Sequence, residues 1–351
     1  IRRLKAEGCK VIVLTQFDGY QDAIGEEVDE IKSLFVSRKG VNPFVDVFTI
    51  LHLVKHLSKI KPDLMLSFTI KPVIYGSIAA KITNVRSIVM ITGLGTAFIA
   101  ETWITKVVKA LYRWALASVP RVYFQNVDDK DLFVSQGLVN SKVCHLIPGS
   151  GLDLNRYAFS NLIDTSDTIF LLVARMLWDK GIGEFVDAAR VVKNKYPNIR
   201  FQLLGPIGVE NRTAIPRSKM TEWQEEGVIE YLGETNNVTT FIKKACCVVL
   251  PSYREGTSRV LLEASAMGRP LIASDVPGCR EVVDDGITGF LCEARDFVSL
   301  SQKMELMLEQ SHEARCVMGA QGREKISKEF SEKIVCDLYV NAIKSVMYRA
   351  Y

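Results

Sequence analysis

The chain has 351 residues, 48% of them apolar and 24% charged, with a formal net charge of +4; this is the profile of a soluble globular protein with room for two domains of ordinary size. No uninterrupted apolar run reaches the ~20 residues that a membrane-spanning helix needs. The eight cysteines show no C-x-x-C pair and no zinc-like spacing, which argues against a metal site or a disulfide framework and for reduced thiols in a cytosolic protein. Residues 1–150 carry 19 Lys and Arg against 13 Asp and Glu, and residues 151–351 carry 25 against 27. The imbalance is too small for a nucleic-acid binder, and no basic run interleaved with aromatics supports one. A basic first half does suit an anionic partner, either a diphosphate or a lipid surface.

In chain order, the opening residues read as the tail of a helix stopped at Gly8, followed by a strand at 10–15. Strands then follow at 33–37, 63–68, 87–91, 121–125 and 143–147, alternating with amphipathic helices at 43–60, 72–83, 101–118 and 128–136. The 101–118 helix carries Lys106, Lys109 and Arg113 within roughly 60° of one another, flanked by Trp103 and Trp114. Ile104, Val107, Val108, Leu111 and Ala115 are expected on its opposite face, to pack inward. A basic stripe edged by tryptophan suits either an interfacial helix at anionic lipid or an ordinary surface helix on its own sheet.

Pro148-Gly149-Ser150-Gly151 marks a domain border. Beyond it, strands at 168–174, 200–204, 228–232, 246–250, 270–274 and 289–291 alternate with helices at 182–195, 236–244, 258–267, 278–283 and 297–309. Residues 206–227 form a polar insertion without an assigned element, and a last helix covers 331–347. Two strand–helix series in succession imply an α/β protein of two doubly wound, Rossmann-like units, here 1–150 and 151–330 with a C-terminal segment 331–351.

The segment with the most chemical content is Glu255-Gly256-Thr257-Ser258 and the helix that follows to Gly268, with Glu263 inside it. Backbone N–H groups at a helix start favour an anion. From Ser258 to Glu263 the rise is roughly 7.5 Å at 1.5 Å per residue. One carboxylate can therefore stand beside a bound phosphate and the other farther along the same ligand, an arrangement that suits a nucleotide-sugar, whose hydroxyls carboxylates accept well. Arg175 and Lys180 follow the apolar strand Ile169–Ala174, and Lys180-Gly181 opens the next helix; a guanidinium fork and an ammonium at a helix start make a clamp for a departing diphosphate. Gly205 and Gly233 lie at strand carboxyl ends, where backbone can approach a base. Lys71, after the strand 63–68, is a candidate contact for an acceptor diphosphate.

These segments, together with Phe68-Thr-Ile-Lys71-Pro72, Phe124-Gln-Asn126, Pro148-Gly-Ser-Gly151-Leu-Asp153, Tyr231-Leu-Gly233-Glu234 and Pro277-Gly-Cys-Arg-Glu281, resemble the retaining glycosyltransferases of family 4 over nearly the whole chain. The set is most similar to bacterial enzymes that add an N-acetylhexosamine to an undecaprenyl-diphosphate-linked saccharide. The resemblance implies a GT-B fold, with two Rossmann-like domains facing across a cleft and a last helix returning to the first domain. It also implies a nucleotide-sugar donor, expected to be a UDP-sugar, a lipid-linked saccharide acceptor, no metal or other cofactor, and a cytoplasmic enzyme peripheral to the inner face of the membrane. By resemblance Glu255 lies by the donor sugar, Glu263 by the ribose and Gly233 near the base, while Gly256, Thr257 and Ser258 supply N–H groups to phosphate or sugar. Where many members have a histidine on the first domain, this chain has Met90-Ile-Thr92-Gly93-Leu-Gly95, and none of His52, His56, His145 and His312 stands in that position; Thr92 and Gly93 are expected in the sugar-facing role.

In the family another strand and a glycine-containing loop precede the helix that opens this chain, so the expectation is an N-terminally truncated first domain that lacks a central strand. Two rivals stand beside the transferase, a sugar-nucleotide epimerase of the same architecture and a non-catalytic nucleotide-sugar binder. A dehydrogenase is disfavoured because no G-x-G-x-x-G follows a strand.

Overall fold

The computed structural model describes residues 1–17, 24–36, 43–94, 103–164 and 167–348. The chain divides into two units, one of Ile1–Ile147 with Val335–Tyr351 and one of Pro148–Ile334. In chain order the first unit holds α1 (Arg2–Ala6), β1 (Ile12–Thr15), β2 (Glu30–Ser33), α2 (Pro43–Ile60), β3 (Leu64–Phe68), α3 (Ile70–Thr83), β4 (Arg86–Ile91), α4 (Trp103–Leu116), β5 (Arg121–Phe124), α5 (Val127–Ser135) and β6 (Cys144–Leu146). The second holds β7 (Ile169–Val173), α6 (Ile182–Lys195), β8 (Arg200–Leu204), α7 (Arg217–Glu225), β9 (Glu230–Tyr231), α8 (Thr239–Lys244), β10 (Cys247–Leu250), α9 (Arg259–Ala266), β11 (Leu271–Ser274), β12 (Gly289–Cys292), α10 (Phe297–Glu309) and α11 (His312–Glu329). The last helix, α12 (Glu332–Met347), starts at the border.

The strands of the first unit form two parallel sheets, β1-β2 and β3-β4-β5-β6. Its core centres on α3, which is buried on every side from Val73 to Ala80. That burial follows from small residues on the helix: a Cβ at Gly76 would lie 2.8 Å from Ser67 Oγ, so the helix backbone rests directly on the side chains of β3. The strand expected at 33–37 lies instead at Glu30–Ser33. The ladder to β1 pairs Ile12 with Glu30 and Thr15 with Ser33, so register is fixed by a polar run, and the apolar Leu34-Phe35-Val36 follows it. α12 packs Val335, Ala342 and Val346 against Ile88, Met90, Tyr123 and Ile147. Arg86 closes its carboxyl end by donating to the carbonyls of Val346 and Met347, the usual role of a cation at a helix terminus.

In the second unit one six-stranded sheet runs β12-β11-β10-β7-β8-β9, every neighbour parallel. Every residue of β10 and β11 is buried, the continuous apolar pattern of a sheet covered on both faces. Three expectations are corrected here. The 206–227 insertion contains α7, anchored in the core by Met220 and Trp223, with Ile215 just before it. Residues 278–283 form turns rather than a helix, because Gly278 has φ +83° and its neighbours bond to another loop. Residues 312–329, where the sequence predicts no element, form the 18-residue α11, whose polar sequence and two glycines mask its periodicity. Among the described residues no helix is long and apolar enough to cross a membrane.

Candidate functional site

The order of the second sheet places a crevice. From β7 the chain passes to β8 and β9 on one side, then returns to lay β10, β11 and β12 on the other. The carboxyl ends of β7 and β10 therefore diverge at a topological switch point, where open α/β sheets take their ligands. The Lys180 loop follows β7 and the Glu255 loop follows β10.

Both loops are locked by glycine. A single 3₁₀ turn, Trp178–Lys180, leads to Gly181 at φ +71° and then into α6. A Cβ on Gly181 would stand 2.0 Å from the Pro251 carbonyl oxygen, so the two loops touch backbone to backbone. Across this contact Lys180 Nζ donates to Glu255 Oε1 at 2.5 Å, and Ser252 Oγ donates to the same oxygen at 2.7 Å. Both charged side chains are largely buried, which strengthens their pairing relative to a surface bridge. Glu255 N–H donates to Pro277 O, Ser258 N–H donates to Gly278 O, and Glu281 Oε2 accepts from Gly278 N–H. The segment 277–281, turns rather than the expected helix, is thus the brace that shapes the Glu255 loop.

Helix α9 begins at this loop with neither a side-chain cap nor an acidic residue in its first turn. Neither the Ser258 side chain nor a first-turn carboxylate offsets its positive end. Ser258 N–H is committed to Gly278, so the expectation that Ser258 offers its amide to a ligand is corrected; the brace takes that donor. Glu263, one turn on, is nearly buried and accepts from Arg259 Nε at 2.9 Å. It also bonds the Tyr157 phenol, whose pKa is raised by burial first and by Glu263 second. Helix α11 grips α9 from behind: a Cβ on Gly319 would fall 2.1 Å from Gly268 O, and one on Gly322 2.5 Å from Ser265 Oγ.

Gly205 and Gly233 are brought together by Gly205 N–H donating to Gly233 O at 2.7 Å, with Tyr231 OH donating to Gly205 O. The two differ in what they need. Gly205 has φ +142° and a Cβ there would lie 1.9 Å from Ala174 O, whereas the space around Gly233 is open. Arg175 is exposed just past the end of β7 and forms no ion pair with a described residue. Lys71, Thr92 and Gly93 belong to the first unit. Lys71 pairs with the buried Asp46 at 3.1 Å, which neutralises it within its own fold, and Thr92 and Gly93 are half-buried after β4. Gly95 lies outside the described residues. Among the described residues no three His, Cys, Asp or Glu converge on a metal position.

Several supporting residues escaped the sequence reading. Tyr253 OH donates to Glu184 on α6 at 2.7 Å, its N–H donates to Asp179 O, and Arg295 lies 4.4 Å over its ring. Burial and Glu184 hold the Tyr253 phenol protonated, with its pKa pushed well up. Thr213 in the unassigned insertion donates to Asp179 and accepts Trp178 N–H through its carbonyl, so that insertion buttresses the Lys180 turn. An alternation of Tyr and Trp with turn residues was the available signal, but it fixes no partner.

Two doubly wound α/β units in one chain, the second with cation, carboxylate and helix start at its switch point, define a GT-B protein. Two family profiles match: "Glycosyl transferases group 1" over residues 154–325 and "Glycosyl transferase 4-like" over residues 1–126. The chain belongs to the group 1 glycosyltransferases, with a family-4-like first domain, and is a hexosyltransferase. A Campylobacter jejuni N,N'-diacetylbacillosaminyl-diphospho-undecaprenol alpha-1,3-N-acetylgalactosaminyltransferase is 26% identical over 99% of this chain and 94% of its own length. An Escherichia coli UDP-Gal:alpha-D-GlcNAc-diphosphoundecaprenol alpha-1,3-galactosyltransferase is 27% identical over 90% of this chain and 85% of its own. Among solved structures, Anabaena HepE in complex with UDP and glucose superposes with a TM-score of 0.79 at 16% identity, covering 98% of this chain and 94% of that one; at that identity it supports the fold. The relatives are transferases, and the epimerase reading is not favoured.

Proposed function

We propose that this chain transfers a hexose or N-acetylhexosamine from a UDP-sugar to a saccharide carried on a polyprenyl diphosphate, with retention at the anomeric carbon, at the cytoplasmic face of a membrane. The observation that carries the donor half is the Lys180–Glu255 pair held against the uncapped start of α9. A diphosphate suits the helix end and the ammonium, and a sugar hydroxyl suits the carboxylate. The resting pair has a consequence. As a diphosphate arrives, Lys180 exchanges a carboxylate for phosphate oxygens, so its charge is present before the leaving group develops its own and needs no reorganisation. No metal is required in this reading, because Lys180 and the α9 amides supply the counter-charge, with Arg175 at the rim. Gly256 and Thr257 line the same turn. Glu263 holds Arg259 and Tyr157 beside the ribose, Gly233 leaves room for the base, and Thr92, Gly93 and Lys71 serve the acceptor side. The acceptor half rests on the relatives named above.

Calorimetry with UDP and UDP-hexoses, followed by transfer to a short-chain polyprenyl-diphosphate saccharide with the anomeric product read by NMR, tests both halves. Binding of UDP with transfer in the α configuration supports the reading, and absence of UDP binding removes it. Lys180→Ala is expected to weaken UDP binding at least about tenfold, the loss of a charge-assisted contact of roughly 1.5–3 kcal/mol. Unchanged UDP affinity in that variant would place the phosphates elsewhere.

A further inference from the structure

Helix α2 has two unlike faces. Asp46, Thr49, Leu53 and Leu57 are buried and lie within about 100° of one another at 100° per residue. The opposite arc is expected to be polar on a surface helix. Here its first half is Phe44, Val47, Phe48 and Leu51, exposed by 88%, 55%, 56% and 62%, at the i, i+3, i+4, i+7 spacing of a single stripe. Phe35, half exposed, extends the patch edge-on to Phe48 at a ring separation of 6.2 Å. The same arc then turns basic with Lys55 and Lys59. Both are exposed and neither forms an ion pair with a described residue, and no Asp or Glu occurs between Asp46 and Asp63. A contiguous apolar stripe on a soluble fold marks an interaction surface.

We infer that this face of α2 is a docking surface for an anionic lipid bilayer. The charge pattern selects that occupant. Phe44 to Leu51 spans about 10 Å along the axis and Leu51 to Lys59 about 12 Å at 1.5 Å per residue. A helix lying in the interface sinks its apolar face roughly 5–10 Å, and here the exposed Phe44–Leu51 stripe would enter while the exposed Lys55 and Lys59 on the same arc meet the anionic headgroups. The sequence pointed to α4 for this role. There, Val107 is exposed beside Lys106 and Trp114 rather than packed inward, while residues 101–102 and the side chains of Trp103 and Ile104 are outside the described set. Arg113, however, donates to the Gly137 and Gln136 carbonyls beyond the end of α5, so part of that stripe is occupied within the fold. The inference rests on the lipid-borne acceptor proposed above, and its test needs neither donor nor acceptor.

The test is sedimentation of the full chain with phosphatidylcholine vesicles containing 30 mol% phosphatidylglycerol (about a third anionic, enough to set a surface potential), and with phosphatidylcholine alone. The chain is expected to prefer the anionic vesicles. F44S/F48S/L51S is expected to lower binding at least about tenfold, K55E/K59E to remove the preference for anionic lipid, and W114S to bind as the parent does. Thermal melts confirm that each variant folds. Parent-like binding by the folded triple variant, or no binding by the parent, overturns the inference. So does concentration-dependent self-association that the triple variant abolishes, since the face would then belong to a second copy. Vesicle binding without any sugar transfer would instead count against the proposed reaction and leave the docking face standing.

Discussion

Glu255→Gln is expected to lower kcat by at least about 100-fold while the UDP dissociation constant stays within about threefold of the parent, or tightens. The amide keeps the size of the carboxylate, and its oxygen still accepts from Lys180 and Ser252, the two donors now at 2.5 and 2.7 Å. The loop is fixed through the Glu255 amide to Pro277 O, which the change does not touch. What disappears is the negative charge. As the diphosphate departs, positive charge builds on the sugar ring, and a fixed anion beside it stabilises that state more than the bound donor. The size follows from preorganised electrostatic groups, whose removal costs on the order of 10²–10³ in rate. UDP lacks the sugar, and a Lys180 released from its carboxylate binds phosphate at least as well. Single-turnover rates and calorimetry on the same variant separate the two quantities. Near-parental turnover would end the role given to Glu255.

Gly181→Ala is expected to be, with Gly205→Ala, among the most damaging single methyl groups in the second unit. The residue sits at φ +71°, and its new Cβ would approach Pro251 O to 2.0 Å. The neighbour is backbone, braced by the Lys180–Glu255 pair on one side and β10 on the other, so no side chain can swing away. Left-handed strain costs roughly 1–2 kcal/mol, and the clash raises the total to about 4 kcal/mol, in the range reserved for named structural faults. For a unit of this size that corresponds to a fall in melting temperature of about 10 °C. Gly227→Ala is the matched control: its φ is +75° with nothing within 4 Å of the added Cβ, so it carries the strain without the clash. Equal melting temperatures for the two variants would show that the loops yield, and the locked geometry argued for the site would not hold.

The parallel sheets of both units were legible because β4, β7, β8, β10 and β11 are runs of branched and apolar residues, a signal that survives without tertiary context. β2 was not, because its pairing with β1 uses Glu30, Lys32 and Ser33, while the apolar residues that resemble a strand come after it. The 278–283 segment looked helical from composition, yet Gly278 with φ +83° and the acceptors at Pro277 and Gly278 serve the Glu255 loop, a demand from residues twenty positions away. The identities of Lys180, Glu255 and Glu263 could be picked out from spacing at strand ends. Their partners could not: the Lys180–Glu255 bond joins residues 75 apart, and Tyr157, Ser252 and Tyr253 carry no motif of their own. The exposure of Phe44 and Leu51 was equally hidden, since an i, i+3, i+4, i+7 pattern does not say which face turns inward.

The close seating of α11 on α9, through Gly319 and Gly322, would make the proposed substrate handling depend on residues behind the helix. Helix α9 carries Glu263 at one point and its uncapped terminus at another, and α11 meets the Ser265 side chain on its back and the Gly268 backbone just past its end, with no room for a side chain at either place. A mutational map of activity would therefore show a cold stripe along α11, with side chains refused at two positions that line no cavity. A reader of that map alone would draw the active site too large. The stripe records instead how a fold immobilises a dipole, by leaving its supporting helix bare where the two touch.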